Sequence, residues 1–394
     1  MTYQNHPYAE ILKKHRRNLH MIPELDRHLP KTKAYLLNTL KDLDCKLTYL
    51  CDSGVCAFFD KGKTETYCFR AEMDALPGAE AMIGGYASKH QGVMHSCGHD
   101  GHMAMSLTFG QYVDGLDDLD CNVLLIFQPA EETLGGAKEI CESGILEKYN
   151  VTKVFGIHIW PFLEKGVIAS KRGAIMAKSA EIDIDILGES AHGTAAYEGK
   201  DALFIASDFM TKLYTRHAAT IGGVPHFAED IDPLPKSRPC KPEDKTIIHI
   251  GKMDSGYARN VVSNNTRLQG TVRAFSEESF DNTLKLITDT LSDITDQYGC
   301  DYNFTNSEGY PPIINDEGLY LKSLLAAKSL ECGYNEITEP VMTSDDFSFY
   351  GHYAPAVFFL LGTGGDIPLH SVEFDFDEHI LISGFELYKA LLSC

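Results

Sequence analysis

Val123-Leu124-Leu125-Ile126-Phe127-Gln128-Pro129-Ala130-Glu131-Glu132 joins a short apolar run to two adjacent carboxylates. A run of this length closed by a proline turn reads as a strand buried on both faces, the kind found in parallel sheets covered by helices. The same signature recurs at Val55–Phe59, Tyr67–Ala71 and Val154–Ile159, with helical stretches between. That alternation gives an α/β fold class with a mostly parallel central sheet. Such sheets bind ligands at the carboxyl ends of their strands, where Glu131 and Glu132 stand. Adjacent residues cannot face one ion equivalently, so one glutamate is read as coordinating and the other as taking a proton from water. Taken alone, the pair reads more readily as a solvated helix start.

Upstream lies the densest cluster of potential ligands, His95-Ser96-Cys97-Gly98-His99-Asp100-Gly101-His102. An irregular turn lets Cys97 and His99 point to one centre, and a helix over 100–112 with Asp100 as its cap leaves Cys97 in the preceding loop. A thiolate beside imidazoles and carboxylates suits zinc, manganese, cobalt or nickel better than calcium or magnesium. Downstream, His158 ends an apolar strand in Gly156-Ile157-His158-Ile159-Trp160-Pro161, and His370 in Pro368-Leu369-His370-Ser371 follows the strand Ala356–Leu361. Each signal is modest by itself. Together they place thiolate, imidazole and carboxylate donors at strand ends of one α/β domain.

From Ser179 the pattern changes: Ile182, Ile184 and Ile186 alternate with Glu181, Asp183 and Asp185, a strand with one solvated face. A helix (201–214), two strands (246–252 and 267–275), a longer helix (278–298) and a final strand (301–305) follow. This β-α-β-β-α-β order predicts a ferredoxin-like α+β domain. The Pro- and Gly-rich Gly222–Glu243 reads as a long loop within it. The expected division is therefore 1–177 with 312–394 as the metal-binding domain, interrupted by 178–311.

The 394 residues exceed what one core usually serves. With 35 Lys+Arg against 56 Asp+Glu, the net charge of −21 argues against nucleic acid and anionic membrane surfaces as partners. Eleven irregularly spaced cysteines, no basic and apolar leader, and no apolar run long enough to span a bilayer suggest a cytoplasmic protein.

The ordered set His15-Arg16-Arg17-Asn18-Leu19-His20, Met73-Asp74-Ala75-Leu76-Pro77, His95–His102, Phe127–Glu132, Gly156–Pro161, Ala191-His192-Gly193, Ala258-Arg259-Asn260-Val261-Val262 and Leu369-His370-Ser371 resembles the M20 metallopeptidase family. Within it, the resemblance is to the amidohydrolase branch of hippurate hydrolases, auxin-conjugate hydrolases and N-acyl-amino-acid deacylases. The resemblance implies Cys97, His99, Glu132, His158 and His370 as ligands of two divalent ions per subunit (Zn, Mn, Co or Ni), and Glu131 as general base. It also implies Asp74 as a residue that orients a histidine ligand, and His192 and Asn260, on a lid domain, as substrate contacts. The implied activity is cleavage of the amide bond of small N-acyl amino acids, and the implied assembly is a homodimer or larger homo-oligomer through the lid. The alternatives are a metallo-dipeptidase or aminopeptidase-like hydrolase, a non-catalytic metal- or ligand-binding protein on the same fold, and a thiol hydrolase built on Cys97. Three departures stand out: Tyr197 replaces a frequent second histidine, Gly222–Glu243 is long, and Gly78-Ala79-Glu80 replaces an aliphatic position.

Overall fold

The computed structural model describes residues 6–81, 84–133, 135–220 and 241–394. Positions 222–240 of the expected loop lie outside them, and Pro242–Asp244 forms a single 3-10 turn. The described chain divides into two compact units: Met1–Gly173 with Ile314–Thr338 and Asp345–Cys394, and Ala174–Ile313 with Glu339–Ser344. The second unit thus also takes in a short segment from beyond the expected boundary.

The first unit is built, among the described residues, on an eight-stranded sheet in the order Lys46–Leu50, Gly54–Phe59, Asn122–Gln128, Thr66–Glu72, Val151–Trp160, Ala356–Gly362, Ile168–Ser170, Tyr334–Glu336. From Asn122–Gln128 to Ala356–Gly362 the pairing is parallel; outside it the pairs are antiparallel except the edge pair of Ile168–Ser170 with Tyr334–Glu336, which is parallel. One face carries Phe69, Leu125, Phe127, Phe155, Ile157, Val357 and Phe359 into a core shared with the helices. The helix His99–Asp114 packs on this sheet and against the helices Ala9–His20 and Ile380–Leu391. Cys68, Leu124, Ile126 and Phe358 on the opposite face are also buried, which explains the unbroken apolar runs.

Asp100 is not the cap of its helix. Helical backbone begins at His99 after Gly98, and Asp100 Oδ2 instead accepts from Arg16 Nε and His20 Nδ1, both at 2.8 Å. His20 Nε2 in turn reaches Glu80 Oε1 at 2.7 Å, so the unusual Glu80 serves this buried ion network, where burial cannot be left uncompensated.

The second unit has the expected β-α-β-β-α-β order. The strands Lys178–Leu187, Thr246–Ser255, Asn265–Ala274 and Asp301–Asn306 pair antiparallel. Ile182, Ile184 and Ile186 pack with Phe209 and Leu213 of Ala202–Thr220 and with Ile287 and Leu291 of Glu277–Tyr298. Among the described residues no helix is long and apolar enough to cross a membrane.

Candidate metal centre

Gly98 makes the centre possible. Its φ of 86° lies in the left-handed region that favours glycine, and an added Cβ would stand 3.2 Å from Ile159 Cβ. The turn ends the loop at Cys97 and starts the helix at His99, leaving both side chains buried in one place. His99 Nδ1 donates to the Asp74 carbonyl at 2.8 Å, and His158 Nδ1 to the Ile159 carbonyl at 2.7 Å. A carbonyl only accepts, so each Nδ1 carries the proton and each Nε2 offers a lone pair. His99 Nε2 is buried without a hydrogen-bond partner, and His158 Nε2 lies 3.5 Å from Cys97 Sγ.

Glu132 Oε1, also buried without a hydrogen-bond partner, lies 3.9 Å from His99 Nε2 and 3.4 Å from His370 Nε2. Ligand-capable atoms of Cys97, Glu132 and His370 fall within 4.8 Å of one another, as do those of His99, Glu131 and Glu132. His370 reaches this position with a φ of 67°, and Ala130, just before the glutamates, has a φ of 60°. Such backbone is costly for residues other than glycine and collects at functional sites. The backbone N–H of His370 donates to Ser96 O at 2.9 Å, fastening together the two loops that carry Cys97 and His370.

Asp74 meets His99 through its backbone carbonyl and not through its carboxylate. Its carboxylate accepts the backbone N–H groups of Glu131 at 3.1 Å and Glu132 at 3.0 Å, while its Oδ1 stands 3.8 Å from His99 Nδ1, beyond hydrogen-bond range. Its backbone carbonyl orients His99; its side chain clamps the turn that aims the two glutamates.

Charge divides the glutamates. Burial, with Asp345 and Glu132 nearby, pushes the Glu131 carboxyl well above its ordinary range. Burial raises Glu132 too, but His370 and His99 outweigh it and hold that carboxyl down at about 2. Burial beside Glu132 and Glu131 pushes the Cys97 thiol up, and burial lowers His158 to about 3. A soft sulfur, imidazole lone pairs and an ionised carboxylate, two of these atoms buried and unpartnered, fit a divalent transition-metal pair.

Beneath these residues lies a buried network that reading the sequence did not find. Arg70 Nε donates to Gln128 Oε1 at 2.9 Å, and its guanidinium holds Glu72, Asp345 and Asp346. Asp345 and Asp346 also share with Glu131 a set of oxygens within 4.8 Å. The Asp-Asp pair in Ser344-Asp345-Asp346-Phe347 was the available signal, but acidic pairs are common on surfaces.

His192 and Asn260 belong to the second unit and lie together there: Gly193 N donates to Asn260 O at 2.8 Å, and His192 bridges to Val261. Both are exposed. His192 Nδ1 accepts from Thr194 N at 3.3 Å, which leaves the proton on Nε2. Tyr197 is also exposed, at 85%.

Residues 68–393 match Peptidase family M20/M25/M40. An uncharacterized hydrolase of Staphylococcus aureus is 32% identical over 396 residues, covering 98% of each chain. A crystal structure from methicillin-resistant Staphylococcus aureus, provisionally assigned as an aminohydrolase, superposes with a TM-score of 0.86 at 26% identity over 100% of this chain and 97% of that one. The YxeP protein of Bacillus subtilis, a dinuclear metal binding peptidase, gives a TM-score of 0.83 at 25% identity, covering 98% and 97%. The chain belongs to Peptidase family M20/M25/M40, and it is a metal-dependent hydrolase of that family.

Proposed function

We propose that this hydrolase cleaves the amide bond of small N-acyl amino acids. Cys97, His99, Glu132, His158 and His370 would hold two divalent ions, with Glu131 as the general base. The observation that carries the reading is the convergence of unpartnered, buried His99 Nε2 and Glu132 Oε1 with Cys97 Sγ and His370 Nε2 beside a carboxyl of raised proton affinity.

Two divalent cations bound there would supply the positive charge that acidifies a water and polarises the amide carbonyl. Glu131 takes the water's proton as the C–O bond forms, and gives it to the nitrogen as the C–N bond breaks. Asp74 keeps the Glu131 carboxyl aimed by fixing its backbone. His192, with the proton on Nε2, donates to the developing oxyanion, and Asn260 contacts the substrate. The products are a carboxylic acid and an amino acid. Around the Cys97-Gly98-His99 turn rests the resemblance to the amidohydrolase branch, and that favours N-acyl amino acids over peptides. Burial pushes the Cys97 thiol up, which disfavours the thiolate that a thiol hydrolase needs.

The inserted unit leaves the strand Thr246–Ser255 at the edge of its sheet, which supports its use as the surface joining two subunits. The activity is tested with N-acetyl, N-benzoyl and longer N-acyl amino acids alongside dipeptides, each with manganese, zinc, cobalt and nickel. Release of the amino acid from an N-acyl substrate is expected. Faster cleavage of dipeptides under every metal would replace the substrate class.

A further inference from the structure

We propose that His102 is a positioning residue, not a ligand: held by Glu72, it grips the strand end that carries His158 and so sets how tightly the ion on that side is bound. The inference rests on the metal-binding reading above. By proximity His102 looks like a ligand, since atoms of Glu72, His99, His102 and His158 fall within 4.8 Å of one another, all buried. It also stands one helical turn beyond His99, on the same side of the helix.

Its hydrogen bonds decide otherwise. His102 Nδ1 donates to Glu72 Oε2 at 2.7 Å, and His102 Nε2 accepts the backbone N–H of Ile159 at 2.9 Å. One ring nitrogen holds the proton and the other has committed its lone pair, so nothing is left for a cation. Glu72 faces His102 with one oxygen and Arg70 with the other, so its charge is already matched on both sides. His99 and His158, in contrast, spend Nδ1 on a carbonyl and keep Nε2.

The grip falls where one side of the sheet stops providing one. Thr66–Glu72 pairs with Val151–Trp160 only as far as Arg70 opposite Gly156, so on that side the ladder has ended before Ile159. The His102 ring takes over there. Ile159 is then held at both ends: its N–H by His102, and its carbonyl by Nδ1 of His158. The two rings stand 4.7 Å apart at 70°. Without that hold the strand end keeps only its pairing with Ala356–Gly362, and His158 Nε2 can shift from its place 3.5 Å from Cys97 Sγ.

The test loads wild type, His102→Leu, His102→Gln and Glu72→Asp with cobalt(II), titrates with a chelator, counts bound ions by atomic emission and records the visible spectrum. Wild type should retain two ions. In His102→Leu one ion should leave at roughly 10–100-fold lower chelator concentration, the range expected when the partner of a metal-binding side chain is lost. The other ion should leave as in wild type. His102→Gln, whose amide oxygen can accept the Ile159 N–H, should restore part of the loss, which lost packing alone would not explain. Unchanged retention and spectrum in His102→Leu would refute the positioning role. A stoichiometry of one ion without chelator in both His102 variants would make His102 a ligand and refute it equally. If the leucine variant does not fold, Glu72→Asp carries the test with the same expected selective loss and the same refutation, because it withdraws the carboxylate from His102 while keeping a charge near Arg70. A wild type that binds no ion overturns the metal reading itself and this proposal with it.

Discussion

Replacing Arg70 with methionine should destabilise the first unit severely, and the structure indicates by how much. The guanidinium is fully buried and faces Glu72, Asp345 and Asp346, with Gln128 as a neutral partner. Methionine fills most of the volume and keeps the apolar contacts, so the loss is that of the cation. Removing one partner of a buried ion pair costs about 3–5 kcal/mol, and here one residue serves three carboxylates. For a unit of this size each kcal/mol shifts Tm by about 2–4 °C, so a fall of roughly 6–20 °C is expected. The assay is thermal unfolding by near-UV circular dichroism with chelator present, which removes the stabilisation that bound metal adds. The deficit should shrink on acidification. Without Arg70 the buried carboxyls titrate higher in the folded state than in the unfolded chain, so the variant gains stability relative to wild type as pH falls. A Tm within about 2 °C of wild type, or a deficit that grows from pH 8 to pH 5, would refute the account of the network.

Glu131→Gln should lower turnover by about 10²–10⁴-fold with metal content unchanged by atomic emission; lost metal in a folded variant would make Glu131 a ligand. Gly98→Ala should cost about 1–2 kcal/mol for left-handed backbone and weaken metal retention against a chelator, whereas Gly115→Ala, at a φ of −75°, should not. Burial lowers His217 in the second unit to about 4, so the folded unit binds fewer protons than the unfolded chain between there and about 6.5. Its stability should be full above that range and fall as pH drops through it, by up to about 3 kcal/mol, and His217→Gln should flatten the decline in urea titrations; matching acid profiles would overturn this. Chelator should abolish hydrolysis and one of manganese, zinc, cobalt or nickel should restore it, while activity surviving full metal removal would revive the thiol mechanism.

The central strands were legible because residues buried on both faces leave continuous apolar runs, and Val123–Phe127 announces itself without help from the rest of the chain. The inserted unit was legible for the opposite reason, since one solvated face writes the alternation of Ile182 to Ile186. The role of Asp100 was not, because a good capping residue and a buried counter-ion look alike until Arg16 is seen beside it. The same holds for His102, which shares a motif with His99 and differs only in what its second nitrogen meets. Arg70 and Glu72 interrupt an apolar strand, and nothing local says that Asp345 and Asp346 will neutralise Arg70. Glu339–Ser344 is too short to show any periodicity, so its membership of the second unit leaves no trace in the pattern.

The strand Ala356–Gly362 sits inside the sheet, between Val151–Trp160 and Ile168–Ser170, yet the whole of Ala174–Ile313 precedes it in the chain. During synthesis the sheet therefore waits with a gap at its middle while the inserted unit is made. His370 follows that strand, so Cys97, His99, Glu132 and His158 emerge long before the residue that joins Glu132 across the centre. A fragment that stops within the inserted unit leaves one edge of Val151–Trp160 and both edges of Ile168–Ser170 unpaired, and lacks His370. On the proposed ligand set, metal capture would report on completion of the fold, and a firmly bound ion would mark a chain whose last central strand has been placed.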